Sequence, residues 1–188
     1  EFDVTLDDNT RLLLVDYQFA SEEYPEYVGS VFNDSFGFFI SGGDLNQTYN
    51  IARVVDNSVQ ITTENIQNYA KVTINSVNGG VPGANASGAP SIYTNSAYYI
   101  NNATKSVTVE YDGMTKRLQA VLDNLTPGQT YHFKMAIADA SDAALDSAVF
   151  VNKIVGVREP KFCYDYAYDQ NKIYFTEPNS GSLQPRIQ

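Results

Sequence analysis

The sequence predicts an all-β domain, a jelly-roll-like sandwich of mostly antiparallel strands with long loops. Apolar and polar residues alternate over many short segments, which is the period of half-buried strands. Clusters of Gly, Asn, Asp and Pro separate these segments, as turns do in sandwiches. Helical periodicity is scarce, and only residues 63–67 could form one short turn. Together these observations favour two packed sheets over a helical or mixed fold.

In chain order, the alternation predicts strands near residues 2–6, 11–19, 36–40, 107–110, 118–122, 131–137 and 149–151. In the second of these, Leu13, Val15, Tyr17 and Phe19 would face the core. Residues 78–95 are rich in Gly, Ala, Pro, Ser and Asn and contain no charge, so they predict a long surface loop. Such a loop could form a lid or the wall of a groove.

Charge and composition exclude several classes of function. The chain has 188 residues and a formal net charge of -10, which argues against binding to nucleic acids or anionic membranes. No apolar run is long enough for membrane insertion. The single cysteine, Cys163, excludes an internal disulfide, and with only one histidine, His132, a standard zinc site is not expected.

The character of the chain changes near its end, which predicts a division into two parts. Residues 1–157 form the predicted sandwich. Residues 158–188 begin with a Glu-Pro break at 159–160 and are predicted to be a hairpin-like extension or the start of the next module. Because the chain begins at Glu1 rather than Met, we expect it to be a processed product or part of a larger multidomain chain.

Two acidic loops are the candidate metal site. The first follows an apolar strand and carries Glu22, Glu23 and Asp34; the second follows another and carries Asp139, Asp142 and Asp146. Neither loop contains Lys or Arg. If the two preceding strands are parallel neighbours, or are joined across the top of the sheet, both loops meet at one end of the sandwich. These carboxylates would then surround one volume and repel each other unless a cation lies among them. Clustered oxygen ligands favour Ca²⁺, whereas the plainer interpretation is two solvated acidic turns.

Several motifs, in order, resemble those of the choice-of-anchor L domain of bacterial surface proteins. They are FASEEY at 19–24, FNDSFGFF at 32–39, NIA at 50–52, YDG at 111–113, TPGQTYH at 126–132 and MAIAD at 135–139, followed by Asp142 and DSAVF at 146–150. The resemblance covers roughly residues 1–156. It implies an extracellular β-sandwich on secreted or wall-anchored bacterial proteins. Gly29 stands where relatives often have cysteine, so a disulfide at that position is absent.

With the resemblance included, we expect a calcium-dependent, ligand-binding module of a large bacterial adhesin. The ligand would be a cell-surface glycan or a peptide, and the predicted ligand-binding residues are Asn33, Tyr93, Tyr98 and Tyr99. The alternative is a spacer or polymer-forming domain in which calcium only rigidifies the loops. No serine elbow, phosphate loop or dinucleotide fingerprint occurs, so we do not expect an enzyme.

Overall fold

The computed structural model describes residues 1–55, 61–88 and 95–158, together with two short strands at 174–175 and 184–185. The chain divides into two compact units, Glu1–Val157 and Arg158–Gln188. Within the second unit, β12 (Tyr174–Phe175) pairs with β13 (Gln184–Pro185) in an antiparallel two-stranded sheet. In the described part of the chain, no helix is long and apolar enough to cross a membrane.

The first unit contains two antiparallel sheets, which confirms the predicted all-β sandwich class. The larger sheet has the order β1-β10-β3-β6-β5, and β4 also pairs with β3. Its strands are β1 (Phe2–Thr5), β3 (Ser35–Gly42), β4 (Tyr49–Asn50), β5 (Arg53–Val54), β6 (Ala70–Thr73) and β10 (Thr130–Ala138).

The smaller sheet has the order β11-β2-β8-β7, and β9 pairs with β2 beside β8. Its strands are β2 (Thr10–Ser21), β7 (Tyr99–Asn101), β8 (Gly113–Thr115), β9 (Leu118–Leu122) and β11 (Ser147–Arg158). Two short 3₁₀ helices, Ile66–Asn68 and Ser96–Tyr98, are the helices of the described residues. The first lies almost where the sequence predicts a helical turn.

The core forms from the apolar positions of the alternating strands. In β3 the pattern is regular, because Phe36, Phe38 and Ile40 are buried while the residues between them are only partly covered. In β2 the four predicted residues from Leu13 to Phe19 are all buried. Burying a side chain of this size contributes about 1.5–3 kcal/mol, so the core, rather than the loops, holds the two sheets together.

The predicted strand at 107–110 is wrong. Residues 102–112 form an irregular segment, and Asn102 explains why. Its fully buried side-chain amide donates hydrogen bonds to the carbonyls of Val107, Val109 and Tyr111, and its oxygen accepts one from the Val107 N–H. One amide side chain therefore satisfies backbone groups that a neighbouring strand would otherwise pair.

Candidate functional site

The two acidic loops both connect one sheet to the other, and they lie at the same end of the sandwich. The first loop, residues 22–34, leaves β2 in the smaller sheet and enters β3 in the larger sheet. The second loop, residues 139–146, leaves β10 in the larger sheet and enters β11 in the smaller sheet. The strands that precede the loops thus belong to different sheets and are not parallel neighbours.

Strand register brings the ends of the loops together. Ser35 at the start of β3 is opposite Ala138 at the end of β10, so Asp34 and Asp139 flank the same rung of the ladder. On the other side, the Glu22 N–H donates to the Asp146 carbonyl at 3.0 Å. The Asp146 N–H in turn donates to Glu22 Oε2 at 3.1 Å. These contacts join the two loops into one acidic site.

Asp34 is the buried anchor of this site. Its side chain is 0% exposed, although it is a carboxylate. One oxygen, Oδ1, accepts a hydrogen bond from the Ala140 N–H at 3.0 Å. The other, Oδ2, accepts one from the Ser147 hydroxyl at 2.8 Å. Asp34 therefore holds the second loop at both of its ends, and its own charge is stabilised by donors.

Glu23 differs from Asp34 because one of its oxygens has no donor. The side chain is 1% exposed, and the buried atom Oε2 has no hydrogen-bond partner. Burial, together with repulsion by Asp34, Asp142 and Asp139, raises the pKa of Glu23 to about 7. A buried carboxylate without a partner is costly, because its hydration is lost and nothing replaces it.

Exposed carboxylates form the outer rim of the site. Asp139, Asp142 and Asp146 are all exposed. The pKa of Asp139 is raised by desolvation and then by its neighbours Asp34, Asp142 and Asp146. Among residues 1–55, 61–88 and 95–158, no Lys or Arg forms an ion pair with any acid of this cluster. The site thus concentrates negative charge that no basic side chain of those residues offsets.

The carboxylate oxygens of this site are suitable ligands for a hard cation, but the acidic side chains do not form a complete coordination site. In the described residues, no three acidic side chains converge as they would around a metal ion. All donors are carboxylate oxygens, the type that Ca²⁺ prefers in flexible sites. The second loop has non-glycine residues with positive φ at Ser141 (85°) and Leu145 (117°), so its backbone adopts a demanding conformation between the acids.

The uncharged loop that begins at Asn78 packs along the first acidic loop. The N–H groups of Gly83, Asn85 and Ser87 donate to the carbonyls of Val28, Glu26 and Gly29 at 2.7, 2.8 and 3.2 Å. A Cβ on Gly83 would lie 2.2 Å from the Glu26 carbonyl oxygen, so only glycine permits this approach. Residues 83–87 therefore pack against the middle of the first acidic loop.

In the structure, three of the predicted ligand-binding residues contact neighbouring residues of the domain. Asn33 accepts a hydrogen bond from the Asn75 N–H at 2.9 Å. Tyr99 packs its ring against Tyr24 at 5.0 Å, and its hydroxyl is buried. Tyr98 is partly buried against the core. Tyr93 lies outside the described residues.

Sequence reasoning missed two residues that position the acidic loops. Asn75 is 5% exposed; it accepts a hydrogen bond from the Gly29 N–H at 2.6 Å and donates one to the Ser30 carbonyl at 3.0 Å. Ser147 holds Asp34, as described above. A run of polar residues shortly after β6, Asn75-Ser76, was the available signal for the first, because polar residues at a strand end commonly bond nearby loops.

Comparison with known proteins gives one match. The family model of the choice-of-anchor L domain matches residues 1–154, which confirms the resemblance drawn from the motifs. That family comprises extracellular, surface-associated modules of bacteria, so the predicted location at the cell surface is also confirmed. No curated protein and no solved structure matches the chain significantly.

Proposed function

We propose that this chain, which belongs to the choice-of-anchor L domain family, is a calcium-dependent ligand-binding module of a bacterial surface protein. The ion would be held by the acidic site between the two sheet-crossing loops. The ligand would be a cell-surface glycan or a peptide that completes the coordination of the ion.

The observation that carries the proposal is the Oε2 atom of Glu23. It is buried, it has no hydrogen-bond donor, and its strongest charged neighbours, Asp34, Asp142 and Asp139, are themselves acidic. Like charges gathered beside a core are stable only when protons or cations offset them. A divalent cation would satisfy the orphaned oxygen and remove the repulsion between the two loops at the same time.

Calcium fits this arrangement better than magnesium or zinc. Ca²⁺ accepts six to eight oxygen ligands in variable geometry, whereas Mg²⁺ requires a near-ideal octahedron and zinc prefers nitrogen and sulfur. Here Glu23 and Asp34 are fixed by burial, while Asp139 and Asp142 are exposed loop side chains that can turn toward an ion. Calcium sites can combine fixed oxygen ligands with mobile ones in this way.

The location of the site suggests how a bound ion could capture a ligand. The acids on the solvent side belong to the second loop, and all three are exposed. An ion held from beneath by Glu23 and Asp34 would keep part of its coordination sphere open toward solvent. Such an ion attracts sugar diols or carboxylates that the acidic protein surface alone would repel.

The test is isothermal titration of calcium into chelator-treated protein and into two glutamine variants from the same loop. Glu23→Gln removes the buried charge, whereas Glu26→Gln removes an exposed one of the same kind. We expect saturable calcium binding by the native protein and by Glu26→Gln, and at least a roughly tenfold weaker affinity for Glu23→Gln. No uptake by the native protein, or equal uptake by both variants, would contradict the proposal.

A specific observation also favours a second candidate, a spacer or polymer-forming domain. β11 has β2 on one side, and no other described strand pairs with its opposite edge. Phe150, Val151, Ile154 and Val157 on this strand are each 37–44% exposed. A long apolar edge strand is a ready site for pairing with another chain.

Sedimentation velocity at increasing protein concentration tests the second candidate. If β11 mediates assembly, the native protein associates and Val151→Lys stays monomeric, because a charge in the middle of an edge strand blocks edge-to-edge pairing. A native protein that remains monomeric at every concentration, with and without calcium, would remove this candidate.

A further inference from the structure

A cleft on the outer face of the larger sheet has the features of a second binding site. Its volume is about 460 Å³, and it is open to solvent; the lining residues are Glu1, Phe39, Ser41, Thr48, His132 and Lys134. We propose that this cleft binds the ring of an uncharged sugar, that Phe39 is the surface on which the ring stacks, and that calcium is not required.

Strand alternation places the cleft residues on the side of the sheet that faces away from the core. Phe38 and Ile40 are 0% exposed and point inward, so Phe39 and Ser41 point outward. On β10, Tyr131 and Phe133 are buried, so His132 and Lys134 lie on the same outer face. Register brings Lys134 opposite Phe39 and His132 opposite Ser41.

The ring of Phe39 lies over the glycine two residues before it. A Cβ on Gly37 would lie 2.5 Å from Cε2 and 2.6 Å from Cζ of the Phe39 ring. The ring therefore occupies the space that any side chain at position 37 would fill. The Phe39 side chain is partly exposed and lines the cleft, so part of the ring is accessible to a ligand. An aromatic ring fixed in this way binds without losing much side-chain entropy.

The basic and acidic side chains around the ring already contact one another. Lys134 Nζ lies 3.0 Å from Glu1 Oε1. His132 Nδ1 lies 2.7 Å from Asp3 Oδ1, and its Nε2 lies 3.4 Å from Glu1 Oε2. Because the Lys134 ammonium and both ring nitrogens of His132 have a carboxylate beside them, the described lining offers little free charge to an anionic or cationic ligand. It offers hydroxyl groups from Ser41 and Thr48, which can donate and accept hydrogen bonds.

These properties suit a sugar better than a peptide. A pyranose ring presents polarised C–H groups on one face, which are attracted by the negative face of an aromatic ring. Its hydroxyl groups can form hydrogen bonds with the hydroxyl side chains and the other polar side chains around the ring. A peptide added as a strand would need a free edge, but β3 already pairs with β10 on one side and with β4 and β6 on the other.

The cleft is separate from the acidic site, so the two proposals can be tested independently. Phe39 lies five residues along β3 from Asp34, and a strand rises about 3.3 Å per residue, which puts them roughly 16 Å apart. No acid of the calcium proposal lines the cleft. Removing calcium should therefore leave sugar binding in the cleft unchanged.

The experiment is saturation-transfer difference NMR with the methyl pyranosides of glucose, galactose, mannose and N-acetylglucosamine. Each sugar is titrated at millimolar concentration against the native protein in excess chelator. The same titrations are repeated with three variants. Phe39→Ala removes the ring, and Gly37→Ala keeps the ring but displaces it. Tyr111→Ala removes a partly exposed aromatic side chain that lies elsewhere, against Phe150, and serves as the control.

We expect at least one of the four sugars to receive saturation, strongest at the ring protons of one face, with or without calcium. Phe39→Ala and Gly37→Ala should each weaken the apparent affinity by roughly tenfold, while Tyr111→Ala leaves it unchanged. Circular dichroism confirms that each variant is folded. No transfer to any of the sugars, an unchanged affinity in Phe39→Ala, or binding that disappears with chelator would each overturn the proposal; the last result would move the sugar to the acidic site.

Discussion

Replacing Glu23 with glutamine should stabilise the calcium-free protein above neutral pH, although the residue lies in the core. In the unfolded chain this carboxyl group titrates near its ordinary pKa of 4.5, whereas in the folded protein burial and the neighbouring acids raise that pKa to about 7. Between these two values the folded state holds a proton that the unfolded state has released. The free energy of unfolding of the native protein therefore falls as the pH rises from about 4.5 to 7, and the loss is complete above 7.

The size of this effect follows from the two pKa values. A tenfold change in proton affinity corresponds to about 1.4 kcal/mol, so a rise from 4.5 to about 7 amounts to at most about 3 kcal/mol, since solvent screens the exposed acids. The glutamine side chain of the variant would carry no charge at any pH, but its amide would need partners, which costs about 1 kcal/mol if they are incomplete. The net gain of the variant at pH 8 is then about 2 kcal/mol, or roughly 4–8 °C in melting temperature.

The assay is urea unfolding in excess chelator between pH 5 and pH 8.5, followed by the same series in calcium. In chelator, we expect the native protein to lose stability with rising pH and Glu23→Gln to show a much flatter profile. In calcium at a hundredfold excess over its Kd, the native protein should regain about 2.7 kcal/mol, and the variant should regain little. Glu26→Gln, an exposed glutamate of the same loop, should follow the native protein in both series.

Two results would refute this reasoning. If Glu23→Gln is less stable than the native protein in chelator at pH 8, then the carboxylate is stabilised by contacts rather than strained by its burial. If the native profile is flat from pH 5 to 8.5, then the pKa of Glu23 is the same in the folded and unfolded states.

Two further substitutions test the loop contacts. Gly83→Ala should destabilise the protein by about 1–3 kcal/mol in urea unfolding, because its Cβ would overlap the Glu26 carbonyl, whereas Gly79→Ala in the same loop has ordinary contact distances and should cost far less. Equal losses in both variants would contradict the close approach. Asn102→Ala should cost about 2–3 kcal/mol, since it removes the hydrogen bonds that one fully buried side chain makes to three backbone carbonyls and one backbone N–H. The exposed Asn101→Ala is its control, and a loss for Asn102→Ala as small as that of the control would show that water replaces those hydrogen bonds.

The strands were predictable because their information is local. Each of these segments alternates between apolar and polar residues. β2, β3 and β10 could therefore be predicted from apolar positions such as Phe38 and Phe133 alone. The segment 107–110 shows the limit of that reading. Its alternation is as regular as that of a strand, but the Asn102 side chain forms hydrogen bonds with its backbone groups. The alternation of apolar and polar residues gives no sign of such a side-chain contact.

The acidic residues of the site were predictable for the same local reason, since carboxylates without nearby basic residues stand out in both loops. Their roles were not. The sequence presents Glu23 and Asp34 as equivalent acids. The structure gives both oxygens of Asp34 a hydrogen-bond donor and leaves Oε2 of Glu23 buried without one.

By itself, then, the sequence determined the fold class, the family, the extracellular location and which residues carry the negative charge. Only the tertiary structure decided that both acidic loops cross between the sheets at one end, and that Phe39 lies over Gly37 on the opposite face from the core. The physical reason is that composition and periodicity describe the residues within one segment of the chain. Burial, repulsion and ring contacts, by contrast, depend on which segments the two sheets bring together.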